Sequence, residues 1–193
     1  MCQTTFQIEE HPVARILRLQ SADGTNRLTR TCVLSLTEAL DILREDKRAL
    51  IITGNNKFFS TGAELEEVAT LNGPSAYEFS MMGQALMRAV ECFPANVYAA
   101  ISGYCMGGGL DLALACRRRI ATPSAVFGHR GAGLGLITGW GGTQRLPRLI
   151  GKGRALELFV AAEKINATQA LKLGLIDAIV PDPVSEALRW IQP

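Results

Sequence analysis

Apolar and polar positions change period along the chain in a way that marks out short elements. Two continuous apolar runs, Ala49–Thr53 and Val97–Ile101, read as strands buried on both faces. Residues 4–9 and 14–19 read as two more strands around a His11-Pro12 turn. Val33, Leu36, Leu40 and Leu43 recur at helical spacing and predict a helix over 31–43. Residues 74–93 read as a long helix, and Pro94 opens the strand after it. Residues 110–116 have no polar face and predict a buried helix. Further on, 118–121 and 125–128 read as short strands, and 143–150, 154–162 and 167–173 as helices. Gly174 caps the third of these, 175–180 reads as a last strand and 183–191 as a terminal helix. Strands alternate with helices throughout, in a strand–strand–helix rhythm without a strict repeat. That alternation predicts an α/β fold with largely parallel pairing. No linker or low-complexity segment divides the 193 residues, so a single domain over 1–193 is expected.

The most informative stretch joins the apolar run at 97–101 to the buried helix through Gly107, Gly108 and Gly109. Glycines let a backbone approach a ligand closely and adopt positive φ. The helix that follows directs unpaired N–H groups and the positive end of its dipole at whatever lies above it. A developing anion on a substrate is the natural guest. A second loop of this kind, residues 57–68, has glycine at a turn and leads into an acidic helix start at Glu64, Glu66 and Glu67. A third, residues 129–142, carries six glycines.

Composition narrows the chemistry. Hydrophobic residues make up 48% and charged residues 20%, an ordinary globular balance. A net charge of +2 gives no argument for nucleic acid or an acidic membrane surface. Cys2, Cys32, Cys92, Cys105 and Cys116 form no C-x-x-C pair and suggest reduced thiols in a cytoplasmic protein. With His11 and His129 as the two histidines, a His-rich metal centre is excluded and no metal is expected. Residues 1–10 lack a basic segment followed by an apolar core, so no signal peptide is read there. The window 97–116 is about as long as a membrane span, but its glycines, Asp111 and the following Arg117, Arg118 and Arg119 favour a protein core. There is no G-x-G-x-x-G, P-loop, G-x-S-x-G or H-E-x-x-H motif. Ser102, His129 and Asp111 have no spacing that would support a hydrolase triad.

Five ordered segments carry a resemblance. They are Phe59-Ser60-Thr61-Gly62-Ala63-Glu64-Leu65, the stretch 101–113, Phe127-Gly128, the stretch 139–148 beginning Gly139-Trp140-Gly141-Gly142, and Ala167, Ala170, Gly174, Leu175 and Ile176. Together they resemble the crotonase superfamily, also called the enoyl-CoA hydratase/isomerase family, from the N-terminal strands to about Val180. The resemblance implies the ClpP/crotonase spiral of repeated ββα units and an acyl-CoA thioester substrate, in the setting of fatty acid metabolism. It also implies an oxyanion hole made by the backbone N–H groups of Ala63 and Gly108. Glu64, Leu65 and Glu66 would line the pantetheine side, with Arg27 and Lys57 as candidate contacts to the CoA phosphates. No cofactor is implied, since the CoA thioester is itself the substrate.

The chain departs from that family at three places. Family hydratases use two glutamates, and the first position is Asp111 here, shorter by about 1.5 Å of reach, roughly one C–C bond. The second position, four residues after Phe127, is Gly131. Hydration by two glutamates is therefore not expected, nor is the isomerisation that relies on the second acid. Chemistry resting on the oxyanion hole remains: decarboxylation of a malonyl-type thioester, or a ring-forming reaction in which bicarbonate replaces the missing carboxylate. His129 and Arg130, just before the substrate-side Gly131, would hold that anion. Arg117 stands where the family commonly has an aspartate. The third departure is length: the chain is read as lacking most of the family's C-terminal helical trimerisation segment, so a trimer or hexamer by the usual route is in question. Trp190 and Ile191 could instead pack into a partner. The leading expectation is a lyase or isomerase acting through a thioester enolate, with Ala63, Gly108 and Asp111 as its catalytic groups. The alternative is an acyl-CoA-binding or subunit-like homologue with weak turnover.

Overall fold

The computed structural model describes residues 4–192; Cys2 and Pro193 lie outside them. β1 (Thr5–Glu10) and β2 (Ala14–Gln20) form a hairpin, and β3 (Arg27–Leu28) leads into α1 (Arg30–Leu43). Next come β4 (Ala49–Thr53), β5 (Phe58–Ser60), β6 (Gly62–Ala63), α2 (Leu65–Ala69) and α3 (Gly73–Glu91). The centre of the chain is β7 (Val97–Ile101), β8 (Tyr104–Met106) and α4 (Gly108–Ala115). β9 (Arg118–Ala121) and β10 (Val126–Gly128) precede a 3-10 turn at Gly131–Leu134, α5 (Gly142–Ile150) and α6 (Lys152–Ala161). β11 (Ile165–Asn166), α7 (Ala167–Leu173), β12 (Ala178–Ile179) and α8 (Pro183–Ile191) complete it.

The strand–strand–helix rhythm has a spatial meaning. β4, β7 and β9 enter a six-stranded sheet of order β1-β2-β4-β7-β9-β12. The strands that follow them, β5, β8 and β10, enter a second sheet of order β11-β10-β8-β5. Each pair then feeds a helical segment, so the chain winds as a spiral of ββα units, as the resemblance implies. Pairing is parallel except at β1/β2 and β10/β11.

The central strands are continuously apolar because both faces of the larger sheet are covered. Leu50 and Ile52 of β4, and Val97, Ala99 and Ile101 of β7, enter the main core with α1, α3 and α4. Their alternates Ala49, Ile51, Tyr98 and Ala100 enter a smaller core on the other face. Val184, Ala187, Leu188, Trp190 and Ile191 of α8 cover that second core. This corrects one expectation: Trp190 and Ile191 pack on the chain's own sheet and are not held out for a partner. α8 forms because Asp182 caps the Val184 and Ser185 N–H groups and Pro183 sits in the first turn.

The apolar window 97–116 is divided among β7, β8 and α4 inside the core, and among the described residues no helix is long and apolar enough to cross a membrane. Of the arginines after it, Arg117 and Arg118 are exposed while Arg119 is buried. Arg119 donates to the carbonyls of Cys116 and Leu175, at 2.6 and 2.8 Å, and its backbone N–H donates to Asp177. The third arginine thus ties β9 to the turn before β12. β8 and β11 were not legible in the pattern, and the last strand is shorter than 175–180.

Candidate active site

β6, α4 and the segment after β10 converge at one place. Gly62 has φ of +95°, and a methyl group there would meet the Met106 carbonyl oxygen at 2.7 Å and the Gly108 nitrogen at 2.8 Å. A side chain at this position would push β6 off the start of α4. The first hydrogen bond of α4 runs from the Asp111 N–H to the Gly107 carbonyl, at 3.0 Å. Gly108, the first helical residue, therefore has no acceptor one turn back for its own N–H. A methyl group built on Gly108 would lie 3.3 Å from the Ala63 nitrogen, so the two amides are neighbours. Both residues line a cavity of about 820 Å³. Its walls are largely apolar, with Leu65, Leu71, Phe79, Leu136, Ile137 and Phe159 among them.

Trp140 forms part of the wall beside Gly108. A methyl group on Gly108 or on Gly83 of α3 would meet its ring at 2.5 or 2.1 Å. Its Nε1 donates to the Phe79 carbonyl at 3.2 Å, and the two rings lie tilted at 5.3 Å. The indole is thus fixed between α3 and the N-terminus of α4.

Asp111 faces the same cavity from the first turn of α4 and is 1% exposed. The Thr138 hydroxyl donates to its Oδ2. Its Oδ1 has no hydrogen-bond partner of good geometry and lies 3.5 Å from Nε2 of His129, which has none either. Burial pushes the Asp111 carboxyl up to about 7, against the pull of the Thr138 hydroxyl, the Arg145 charge and the Gly142 amide. Burial pushes the His129 imidazole down to about 4. Near neutral pH the imidazole is uncharged and the carboxyl is poised between its two forms. Gly142 leaves room for the pair, since a methyl group there would lie 2.2 Å from Asp111 Oδ1 and 3.1 Å from His129 Nε2. The His129 ring rests against Phe159 at 5.2 Å.

Seven of the eleven residues singled out from sequence come together at this cavity: Ala63, Gly108, Asp111, Leu65, His129, Arg130 and Gly131. Glu64 and Glu66 are not in its lining. Glu64 is buried with its carboxylate on Arg27, at 2.9 Å, and that hydrogen bond holds it below the ordinary carboxylate range. Glu66 is exposed on α2. Arg27 also pairs with Asp23 at 2.7 Å, and the Lys57 ammonium lies over the Phe58 ring at 5.6 Å. Gly131 begins the 3-10 turn, and a methyl group on it would meet the Leu136 carbonyl oxygen at 2.8 Å. The backbone at this position has closed over the place from which a side chain would leave.

The pattern missed Thr138 altogether, and it gave His129 a free anion as neighbour where the structure gives it Asp111. The signal lay in strand register. β8 and β10 run parallel with Gly128 opposite Met106, and the Gly107 N–H donates to the Gly128 carbonyl at 2.9 Å. The residue after β10 therefore lies beside the start of α4, one turn from Asp111.

Comparison with known proteins gives the family and the fold. A family model described as enoyl-CoA hydratase/isomerase matches residues 9–192. A crotonyl-CoA hydratase of Syntrophomonas wolfei is 37% identical over 183 residues, 93% of this chain and 70% of that protein. A probable enoyl-CoA hydratase of Bacillus subtilis is 42% identical over 154 residues, 78% of this chain and 60% of the relative. The crystal structure of an enoyl-CoA hydratase from Bacillus anthracis superposes with a TM-score of 0.91 at 35% identity, covering 97% of this chain and 75% of that one.

Proposed function

The chain belongs to the enoyl-CoA hydratase/isomerase family, and on that premise we propose that it carries out a lyase or isomerase step on an acyl-CoA thioester through an enolate held by the Ala63 and Gly108 amides. The observation that carries this reading is the close approach of β6 to the N-terminus of α4 on the wall of a largely apolar cavity. Two fixed donors stabilise charge that develops on a thioester oxygen, and each is worth about 3–4 kcal/mol in such sites. The apolar walls suit an acyl chain, and Asp111 is the candidate acid/base within reach of the same space. Free thiols at Cys32, Cys92, Cys105 and Cys116 support a reducing, cytoplasmic setting.

Acetoacetyl-CoA tests the first half of this reading. Its α-carbon is acidic enough to ionise without an enzymatic base, and its enolate absorbs in the near ultraviolet. The protein should bind it with growth of the enolate band, and Gly108→Ala should lose that band. Binding without the band would overturn the oxyanion assignment. Turnover is then assayed with crotonyl-CoA, a 3-enoyl-CoA and methylmalonyl-CoA, each with and without bicarbonate. The glycine at 131 favours a second reading, an acyl-CoA-binding homologue, and binding of all thioesters with turnover of none would select it.

A further inference from the structure

Among the described residues, Asp111 is the only carboxylate lining the cavity and His129 the only imidazole. Each has one buried polar atom without a hydrogen bond of good geometry, and those two atoms face each other at 3.5 Å. Buried polar atoms are ordinarily paired, and leaving one unpaired costs about 1–3 kcal/mol. The site carries two such atoms side by side, on elements that the β8/β10 register brings together. The missing second carboxylate at Gly131 cannot simply be restored, because the Leu136 carbonyl occupies its path. A proton-carrying group nevertheless stands two residues earlier, turned onto the first acid.

Resting on the thioester reading above, we propose that His129 is the second proton-carrying group of this site, working with Asp111 to add water across the double bond of a 2-enoyl thioester. The pair holds one mobile proton, on the Asp111 carboxyl, beside a neutral imidazole. In the forward step a water O–H bond breaks and its proton passes to His129, while the oxygen bonds to the β-carbon. The π electrons move to the thioester oxygen, which the Ala63 and Gly108 amides receive as an enolate. The enolate collapses as the Asp111 O–H bond breaks and its proton bonds to the α-carbon. The product is the 3-hydroxyacyl thioester. Proton return from the imidazolium to the carboxylate, across their contact, restores both groups. Nothing is oxidised or reduced, and water is the sole co-reactant. Thr138, donating to the other carboxylate oxygen, leaves Oδ1 as the atom turned to His129.

The test is hydration of 2-enoyl thioesters of four, six and ten carbons by wild type, His129→Gln, Asp111→Asn and the double variant. Each single change should lower kcat by about 10²–10⁴-fold, as loss of a general acid or base does, with KM and the acetoacetyl-CoA enolate band retained. The double variant should be no slower than the slower single one, because the two groups act as one unit. A merely structural histidine would instead lose the enolate band together with rate, or give losses that multiply. Either result overturns the proposal, as does His129→Gln turning over like wild type. If His129→Gln does not fold, His129→Ala with added imidazole takes its place. Rescue of turnover then supports the proposal, and its absence counts against it. Wild type that shows the enolate band yet hydrates none of the three thioesters overturns this inference and leaves the thioester reading intact. Loss of the band in wild type overturns both.

Discussion

The cavity has two halves built on different principles. On one side, Ala63 and Gly108 offer backbone amides, fixed by a strand end and a helix start whose close contact depends on Gly62. On the other, Asp111 and His129 offer side chains, fixed by burial, one hydroxyl and a strand register. The first half depends on what is absent from the chain, namely side chains. The second depends on what is present, and it can be rebuilt by moving a functional group two residues along. A backbone-built site is therefore the harder half to alter in evolution and the easier half to abolish by mutation.

The sharpest way to break this contrast is to put a side chain into the backbone half. Gly108→Ala should reduce turnover by about 10²–10³-fold, comparable to deleting one oxyanion donor, because its methyl group would lie 2.5 Å from the Trp140 ring. Steady-state rates with a matched circular dichroism spectrum check this. Rates near those of wild type would show that the amide tolerates displacement.

The next effect is on stability and belongs to the proton half. Asp111 rises from 3.8 to about 7, so the folded state holds a proton there that the unfolded chain has released. Its contribution makes stability fall as pH climbs through that window, by about 4 kcal/mol in full. His129 drops from 6.5 to about 4, so the unfolded chain holds the extra proton, and its contribution makes stability rise over that window. Between about pH 4 and 6.5 the two slopes oppose each other. Relative to wild type, Asp111→Asn should therefore gain stability as pH rises through this range, and His129→Gln should lose it. Urea midpoints measured across pH read the slopes directly. Arg145, whose charge acts on Asp111, and Cys105, on which Asp111 acts, stay in place in both variants. Parallel wild-type and variant curves would show that neither group is shifted.

A smaller effect tests whether the family's second acid can return. Gly131→Glu should cost about 1–3 kcal/mol as an overpacked position and should not rescue the hydration lost in His129→Gln. Thermal melts and the rescue assay decide it, and a stable, active double variant would show that the 3-10 turn yields easily. Smallest of all is Arg27→Ala. It frees Glu64 beside the oxyanion loop, but Arg27 is partly solvated, so the stability change should stay within about 1 kcal/mol. A larger loss on denaturation would make Arg27 part of the loop's framework.

These halves also differ in how far they could be read from the chain. The amide half lies in two contiguous glycine motifs, each recording its own turn, so a close backbone approach was legible there, while the choice of Ala63 and Gly108 as donors rests on the family resemblance. So were β7, α7 and α8, where apolar spacing, an asparagine or aspartate cap and a glycine or proline mark the ends locally. β8 was hidden because three residues between glycines, led by Tyr104, carry no period. It becomes a strand only by pairing with β5 and β10. β11 and β12 are two residues each and exist for the same reason. His129 was noticed as a residue type, but its partner depended on that hidden strand, so no local pattern could supply it.

The indole wedged beside Gly108 also makes the protein its own reporter. The chain has two tryptophans, and Trp190 sits on the far face of the sheet with its Nε1 on Glu186. In a Trp190→Phe background, the emission of Trp140 alone would register what enters the cavity, without a dye and independent of any turnover. Occupancy of the amide half could then be followed by light even in variants whose proton half has been silenced.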